Sequence, residues 1–388
     1  MTPLNALQNL MTGQPSAGLF DLVPTPPLRK KLRQKTGSDG PFGNGHFSPF
    51  VRVGPKYPID PAAWTEAYAG LGFEVPPNSR FGPFGLLFQG QNHLRTSPYG
   101  HLEAFLHPLA DVEDLEGVKS LPWPNTSDQK LYVHLKDSVS SIHAKGLIAV
   151  GQMDCTVFEH TWYLRGMEQL FLDWIEGNPV GNWLLDWFTE RSTKAVEAFV
   201  EAGVDIIFLG DDVGSQQSLL LSREMWQEHL RPRLRTVIAA AREGTKQPWI
   251  AYHSDGAIAP LVSDLIDCGV QILNPIQPEC VDIEAFFAGF HDKLAFWGGI
   301  GTQTTMPFGS ASDVKSAVEG LLCLAARHNV RFIPAPTHYL EPDVPVDNII
   351  AFLRAVQDGP QRGTQTKVEA ASSKNRPIEH TQVAKGNL

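Results

Sequence analysis

From about residue 145 the chain alternates continuous apolar runs with helical patterns. LIAVGQMD at 147–154 precedes a helical stretch near 165–175, and a second helix covers roughly 181–202. VDIIFLGDD at 204–212 leads into a helix near 223–242, and PWIAYHSD at 248–255 into one at 257–267. VQILNPI at 270–276, KLAFWGGI at 293–300 and VRFIPAP at 330–336 are followed by helices at 282–289, 311–327 and 345–357. Apolar strands without polar alternation are buried on both faces, which is the mark of parallel strands covered by helices. Successive units of this kind, with more room upstream, predict an α/β fold: a closed but distorted (β/α)8 barrel of TIM type.

The upstream third reads differently. It is irregular and rich in Pro, Gly and Phe (GPFGNGHFSPF at 40–50, RFGPFGLLFQG at 80–90), with amphipathic helices expected near 3–11 and 60–70. Pro and Gly at this density predict turns and loops that follow a surface. Residues 1–44 are expected to form a helical and irregular extension, and 45–359 the barrel. Residues 360–388 lack aromatics and are dominated by Gln, Thr, Lys, Ser and Asn, which predicts a disordered tail.

Composition narrows the partners. The net charge is −10, and only 19% of residues are charged, which argues against nucleic acid or an anionic membrane surface as the main partner. A small-molecule substrate is expected instead. Cys155, Cys268, Cys280 and Cys323 are scattered without CxxC spacing, as expected of thiols in a reducing compartment. No apolar run approaches the roughly 18 residues of a membrane span, so a soluble, cytoplasmic protein is expected. No GxGxxG or GxxxxGK[ST] stands at a strand–helix junction, so no nucleotide cofactor is expected.

In a barrel of this type the chemistry sits at the C-terminal ends of the strands. Those ends carry Gln152 and Asp154, Asp211 and Asp212, His253 and Asp255, Asn274 and Gln277, Gly298 and Gly299, and Thr337 and His338. Gln152, Asn274 and Gln277 are therefore candidate substrate contacts. His253 and Asp255 are two apart, so an extended chain turns both side chains to one side. Such a pair suits a shared metal ion or an acid–base couple. The competing reading makes Asp255 the cap of the next helix. Of Asp211 and Asp212, only one can face the mouth directly. The other would cap a helix or pair with an arginine. Arg165 could hold a carboxylate in a two-pronged contact or form an internal ion pair with Glu159 or Asp173. Arg52 is a second candidate anchor. The tryptophans at 162, 174, 183, 187, 226 and 297 read as core.

Several ordered blocks then resemble the uroporphyrinogen decarboxylase superfamily: GDDVGSQQSLLLSREMWQEHLRPRL at 210–234, YHSDGAI at 252–258, LNPIQPE at 273–279, FWGGIGTQTTMPFG at 296–309 and PAPTHYLEPDVPVDNIIAF at 334–352. The resemblance covers roughly residues 45–357 and implies a distorted barrel with a deep cleft at the strand C-termini; a homodimer with facing clefts would fit it. True decarboxylases of the superfamily carry an arginine-rich R-x-A-G-R-Y motif, where this chain has HFSPFVRVGPKYP with the single Arg52. A tetrapyrrole is therefore not the expected substrate. The cobalamin- and thiol-linked methyltransferase branch holds zinc through His-x-Cys and a later cysteine. Here the first position reads His253-Ser-Asp255, and the later one falls near Thr337 and His338. The resemblance thus implies a zinc or other divalent site of His253, Asp255 and His338, harder than one built on thiolates.

The leading expectation is a decarboxylase of a small cyclic or aromatic acid. In it Asp211 or Asp212 would stabilise charge or supply a proton, and His253 and Asp255 would bind metal or act as acid and base. The alternative is metal-dependent methyl transfer from a small donor to a corrinoid, folate or thiol. A further alternative is an inactive barrel retained as a binding module.

Overall fold

The computed structural model describes residues 1–359 except Pro15, Ala17, Asp39, Asn44, Gly45, 91–102, Asp154, Thr245 and Lys246. The expected tail and Asp154 lie outside the described residues. Seven parallel strands form one sheet in chain order: β1 (Phe50–Val53), β2 (Ile148–Gln152), β3 (Ile206–Gly210), β4 (Trp249–His253), β5 (Ile272–Ile276), β6 (Ala295–Ile300) and β7 (Arg331–Pro336). Six of them fall inside the apolar runs. The seventh, β1, is the four-residue FVRV, too short for the pattern to reveal within its Gly- and Phe-rich surroundings. Helices cover the outside, the longest being Pro179–Ala202 and Ala311–Arg327.

Alternate residues point to opposite faces of a strand, and the inward set here forms a single cluster. Phe50, Ile148, Val150, Ile206, Phe208, Ala251, Ile272, Ala295, Trp297, Ile333 and Ala335 pack together inside the curled sheet. The other parity packs against the helices in the largest cluster, with Ala149, Ile207, Leu209, Ile250, Tyr252, Leu273 and Phe296.

Among the described residues the parallel sheet has seven strands, a curled half-barrel in which the full eightfold closure is not seen; Arg80–Phe81, Leu87–Gly90 and Glu103–Leu106 form a separate antiparallel sheet. An extended stretch from the N-terminal region runs beside β7. Asp21 N donates to Pro334 O at 3.1 Å, Leu340 N to Val23 O at 2.9 Å, and Thr25 N to Leu340 O at 2.9 Å. On its other side the Asp21 carboxylate reaches Ser48 and Arg52, at the edge where the sheet begins.

Helix α1 (Pro3–Met11) starts on the Thr2 side-chain cap with Pro3 in its first turn. Its Ala6, Leu7 and Met11 join the interior cluster with Leu19. Burying a leucine such as Leu7, 1% exposed, contributes about 1.5–3 kcal/mol. The N-terminal residues thus supply part of the core. No helix among the described residues is long and apolar enough to cross a membrane.

Candidate metal centre and substrate cleft

Strand parity selects the side chains of the mouth. Counting inward positions along β3 gives Ile206, Phe208, Gly210 and then Asp212. Along β4 the count gives Ala251, His253 and then Asp255, and along β5 Ile272 and Asn274. Register makes these ends neighbours: Gly210 pairs with His253, and His253 with Asn274. Directly after β4 the chain turns at Gly256, whose φ is +87°. A Cβ there would lie 2.5 Å from Ser215 O, so only glycine serves this turn without strain.

Asp212, His253 and Asp255 each offer a donor atom, and these atoms all lie within 4.8 Å of one another. The His253 Nδ1–H donates to Asn274 Oδ1 at 2.6 Å, while the Asn274 amide points toward Trp297 O. That contact fixes the tautomer and leaves the Nε2 lone pair for a ligand. Nε2 faces Asp212 Oδ1 at 3.9 Å. Asp255 N donates to that same Oδ1 at 2.8 Å, holding the carboxylate in place.

Carboxylates crowd this corner. Burial, with Asp212 and Glu279 adding repulsion against the opposing pull of His253, pushes Asp255 up to about 6. Burial, then Asp212 and Asp211, push Glu159 up to about 8. Glu159 accepts from Tyr163 Oη at 2.7 Å and from Asp212 N at 3.0 Å. For His253, burial opposes the charged ring, but Asp255 and Asp212 outweigh it and the net direction is upward. Such a set relaxes when a cation arrives. One imidazole nitrogen and two carboxylates suit zinc or another divalent ion of borderline to hard character.

Four sequence-based assignments change. Asp211 faces away from the mouth and accepts from the backbone N–H groups of Thr156, Val157 and Glu159 at the start of helix α2 (Phe158–Arg165). It is a buried helix cap, which fits the opposite parity of its neighbour Asp212. Arg165 is 1% exposed. Its Nε and Nη2 are both 2.8 Å from the Asp173 carboxylate, and Nη1 donates to the carbonyls of Leu109, Ala110 and Val112. The side chain is buried in this internal ion pair and lines neither of the two cavities of the cleft. Gln277 buttresses the turn, accepting from Gly256 N at 2.9 Å and donating to Gln216 Oε1 at 3.1 Å. His338 lines the cleft with its ring centroid 6.3 Å from that of His253, but it is outside the group of converging donor atoms. Asp212, not His338, stands with His253 and Asp255 in the cluster of donor atoms.

Two adjoining cavities open at this end of the sheet, and His253 lines the smaller. The smaller, about 110 Å³, is lined by Asp21, Arg52, Gln152, His253, Asn274 and Trp297 among others. The larger, about 680 Å³, shares Arg52, Gln152 and Tyr339 with it. Arg52 Nη2 donates to Asp21 Oδ2 at 2.7 Å. Asp21, Glu159 and Tyr163 carry no sequence signal of their own. Asp21 lies 31 positions from Arg52, and Glu159 enters only because its helix begins on Asp211.

A family model described as Uroporphyrinogen decarboxylase (URO-D) matches residues 110–359, and the chain belongs to that family. Among curated relatives, Methylcobamide:CoM methyltransferase MtaA of Methanosarcina barkeri is 27% identical over 186 residues, 48% of this chain and 51% of that protein. The protein of the same name from Methanosarcina barkeri (strain Fusaro / DSM 804) is 26% identical over the same share of each chain. The chain thus spans about half the length of the curated relatives it matches. A solved structure, a methyltransferase from Methanosarcina mazei, superposes with a TM-score of 0.59 at 18% identity, covering 92% of this chain and 99% of that one. That likeness concerns the fold.

Proposed function

We propose that this chain is a metal-dependent methyltransferase that moves a methyl group between a small methylated donor and a corrinoid, folate or thiol acceptor. The observation that carries this reading is the match to proteins named methylcobamide:CoM methyltransferase. The convergence of Asp212, His253 and Asp255 at adjoining strand ends supports it. Nothing in these comparisons specifically favours the expected decarboxylation of a small cyclic or aromatic acid.

A divalent cation held by these three residues would supply Lewis-acid polarisation to an oxygen or sulfur atom brought beside it. The protein's own groups prepare that place. Asn274 keeps His253 in one tautomer and orientation. The Asp255 amide holds Asp212, and Glu159, which burial and the neighbouring carboxylates push up to about 8 in the absence of metal, stands beside them. Arg52 stands at the junction of the two cavities, where it can orient an anionic group.

Two measurements test the proposal. Elemental mass spectrometry is expected to find about one zinc or similar ion per chain, lost in His253→Ala. Methylcobalamin with a panel of small thiols is expected to lose its methyl group only in the presence of metal-loaded protein, as read from the cobalamin absorption spectrum. Absence of metal in the wild type, or carbon dioxide release from cyclic acids without methyl loss, would refute it.

A further inference from the structure

The larger cavity has a character of its own. Tyr57, Phe88, Phe105 and Tyr163 line it, and each is only half-buried. Phe105 stacks on Tyr163 with centroids 3.6 Å apart and planes at 7°, and Phe88 stands 5.0 Å from Phe105. These rings, two of them stacked on each other, border an open space of about 680 Å³. Such a wall is the usual lining of a small-molecule site.

Among the described residues the charge on this wall is one-sided. Among the described residues lining the larger cavity there is no Asp or Glu, whereas Arg52 and Lys56 are present. Arg191 lines it too but is engaged with Cys155 O and His160 Nδ1. Arg52 uses Nη2 on Asp21, which itself lines only the smaller cavity. A guanidinium has five N–H donors in a fork that matches an oxyanion. The carboxylates gather instead on the His253 side.

From this juxtaposition we infer that the larger cavity holds the body of the substrate and takes a planar aromatic molecule carrying an anionic oxygen group, a carboxylate or phenolate. The ring lies against Tyr57, Phe88, Phe105 and Tyr163, and the oxygen meets Arg52. This deepens the methyltransferase reading and rests on it for the direction of the reacting group toward His253. The binding itself needs no metal.

The test is calorimetric titration of the chelator-stripped full chain with benzoate, benzyl alcohol, cyclohexanecarboxylate and butyrate. Benzoate is expected to bind about tenfold more tightly than butyrate, and more tightly than the non-planar cyclohexanecarboxylate. Arg52→Gln is expected to weaken benzoate about tenfold and to leave benzyl alcohol unchanged. Phe105→Leu, which keeps apolar volume on a partly exposed strand, is expected to weaken both aromatic ligands about threefold or more without affecting butyrate. Thermal melts establish that each variant is folded. Equal affinity for benzoate and butyrate, or folded variants that bind benzoate like the wild type, would overturn the inference. Aromatic selectivity in a protein that transfers no methyl group would sustain it while removing the catalytic reading.

Discussion

Replacing Asn274 by leucine removes one acceptor and keeps most of the side-chain volume, so it isolates the contact that orients His253. In the native chain Asn274 is 7% exposed and its Oδ1 is 2.6 Å from Nδ1. Without it, the imidazole N–H loses its partner in a partly buried site, at a cost to folding of about 1–3 kcal/mol. The larger effect is on the other nitrogen. With Nδ1–H unsupported, the proton is free to move to Nε2, and the ring is no longer held toward Asp212. Loss of such a supporting contact lowers metal affinity roughly 10–100-fold. Asn274→Asp keeps the acceptor and adds a negative charge, so it is expected to hold metal at least as tightly as wild type. Zinc affinity is read by competition with a coloured chelator, and the tautomer by the nitrogen chemical shifts of the histidine ring. Folded Asn274→Leu protein that binds zinc like the wild type, with Nδ1 still protonated, would refute the reasoning.

Other expectations follow from the same geometry. Arg165→Met leaves the Asp173 carboxylate buried without its cation and is expected to cost about 3–5 kcal/mol of stability, seen in urea unfolding, with no direct effect on metal affinity in the protein that remains folded. Asp211→Ala strips the acceptor from the first N–H groups of helix α2 and is expected to cost about 2 kcal/mol, again in unfolding and not in zinc affinity. Glu159 is raised from 4.5 to about 8, and Asp255 and Asp211 from 3.8 to about 6. Raised carboxyl groups contribute stability below their unfolded values and lose it as pH climbs through the folded ones. Buried His160, held well below 6.5, adds stability as pH rises toward that value, so the loss is expected above it: the metal-free protein is expected to melt at progressively lower temperature between about pH 6.5 and pH 8, where Glu159 ionises. Saturating zinc is expected to flatten or reverse that trend, and a melting temperature that rises over this range in the metal-free protein would contradict it.

Much of the barrel is written in the chain because buried parallel strands are apolar at every position, and six runs declare themselves in that way. β1 does not, since FVRV is four residues long and includes Arg52. The seam is hidden for a different reason. Asp21 and the stretch around it act through contacts with β1 and β7, distant in sequence, and no local period encodes such pairing. The site was half visible on the same grounds. His253 and Asp255 share a face by spacing alone, whereas the choice between Asp211 and Asp212 depends on where β3 begins its inward count. Arg165 shows the limit of reading a charged residue from its type: a guanidinium offered to solvent and one closed around Asp173 look alike until the carbonyls of Leu109, Ala110 and Val112 are in place.

The ligand set itself follows from register. A strand end contributes one inward side chain every second residue, so β4 alone supplies His253 and Asp255 and no third donor at hand. The third must come from a neighbour, and the neighbours are fixed by pairing: Gly210 of β3 on one side, Asn274 of β5 on the other. Two residues beyond Gly210 stands Asp212, a donor, while Asn274 stands level with His253 and orients it. His338, which follows β7, reaches the same cleft across the curled sheet but stands outside the cluster of converging donor atoms. Asp212, brought beside His253 by the pairing of β3 with β4, thus completes the cluster of donor atoms, and a metal held by it would sit in a harder centre than thiolates would provide.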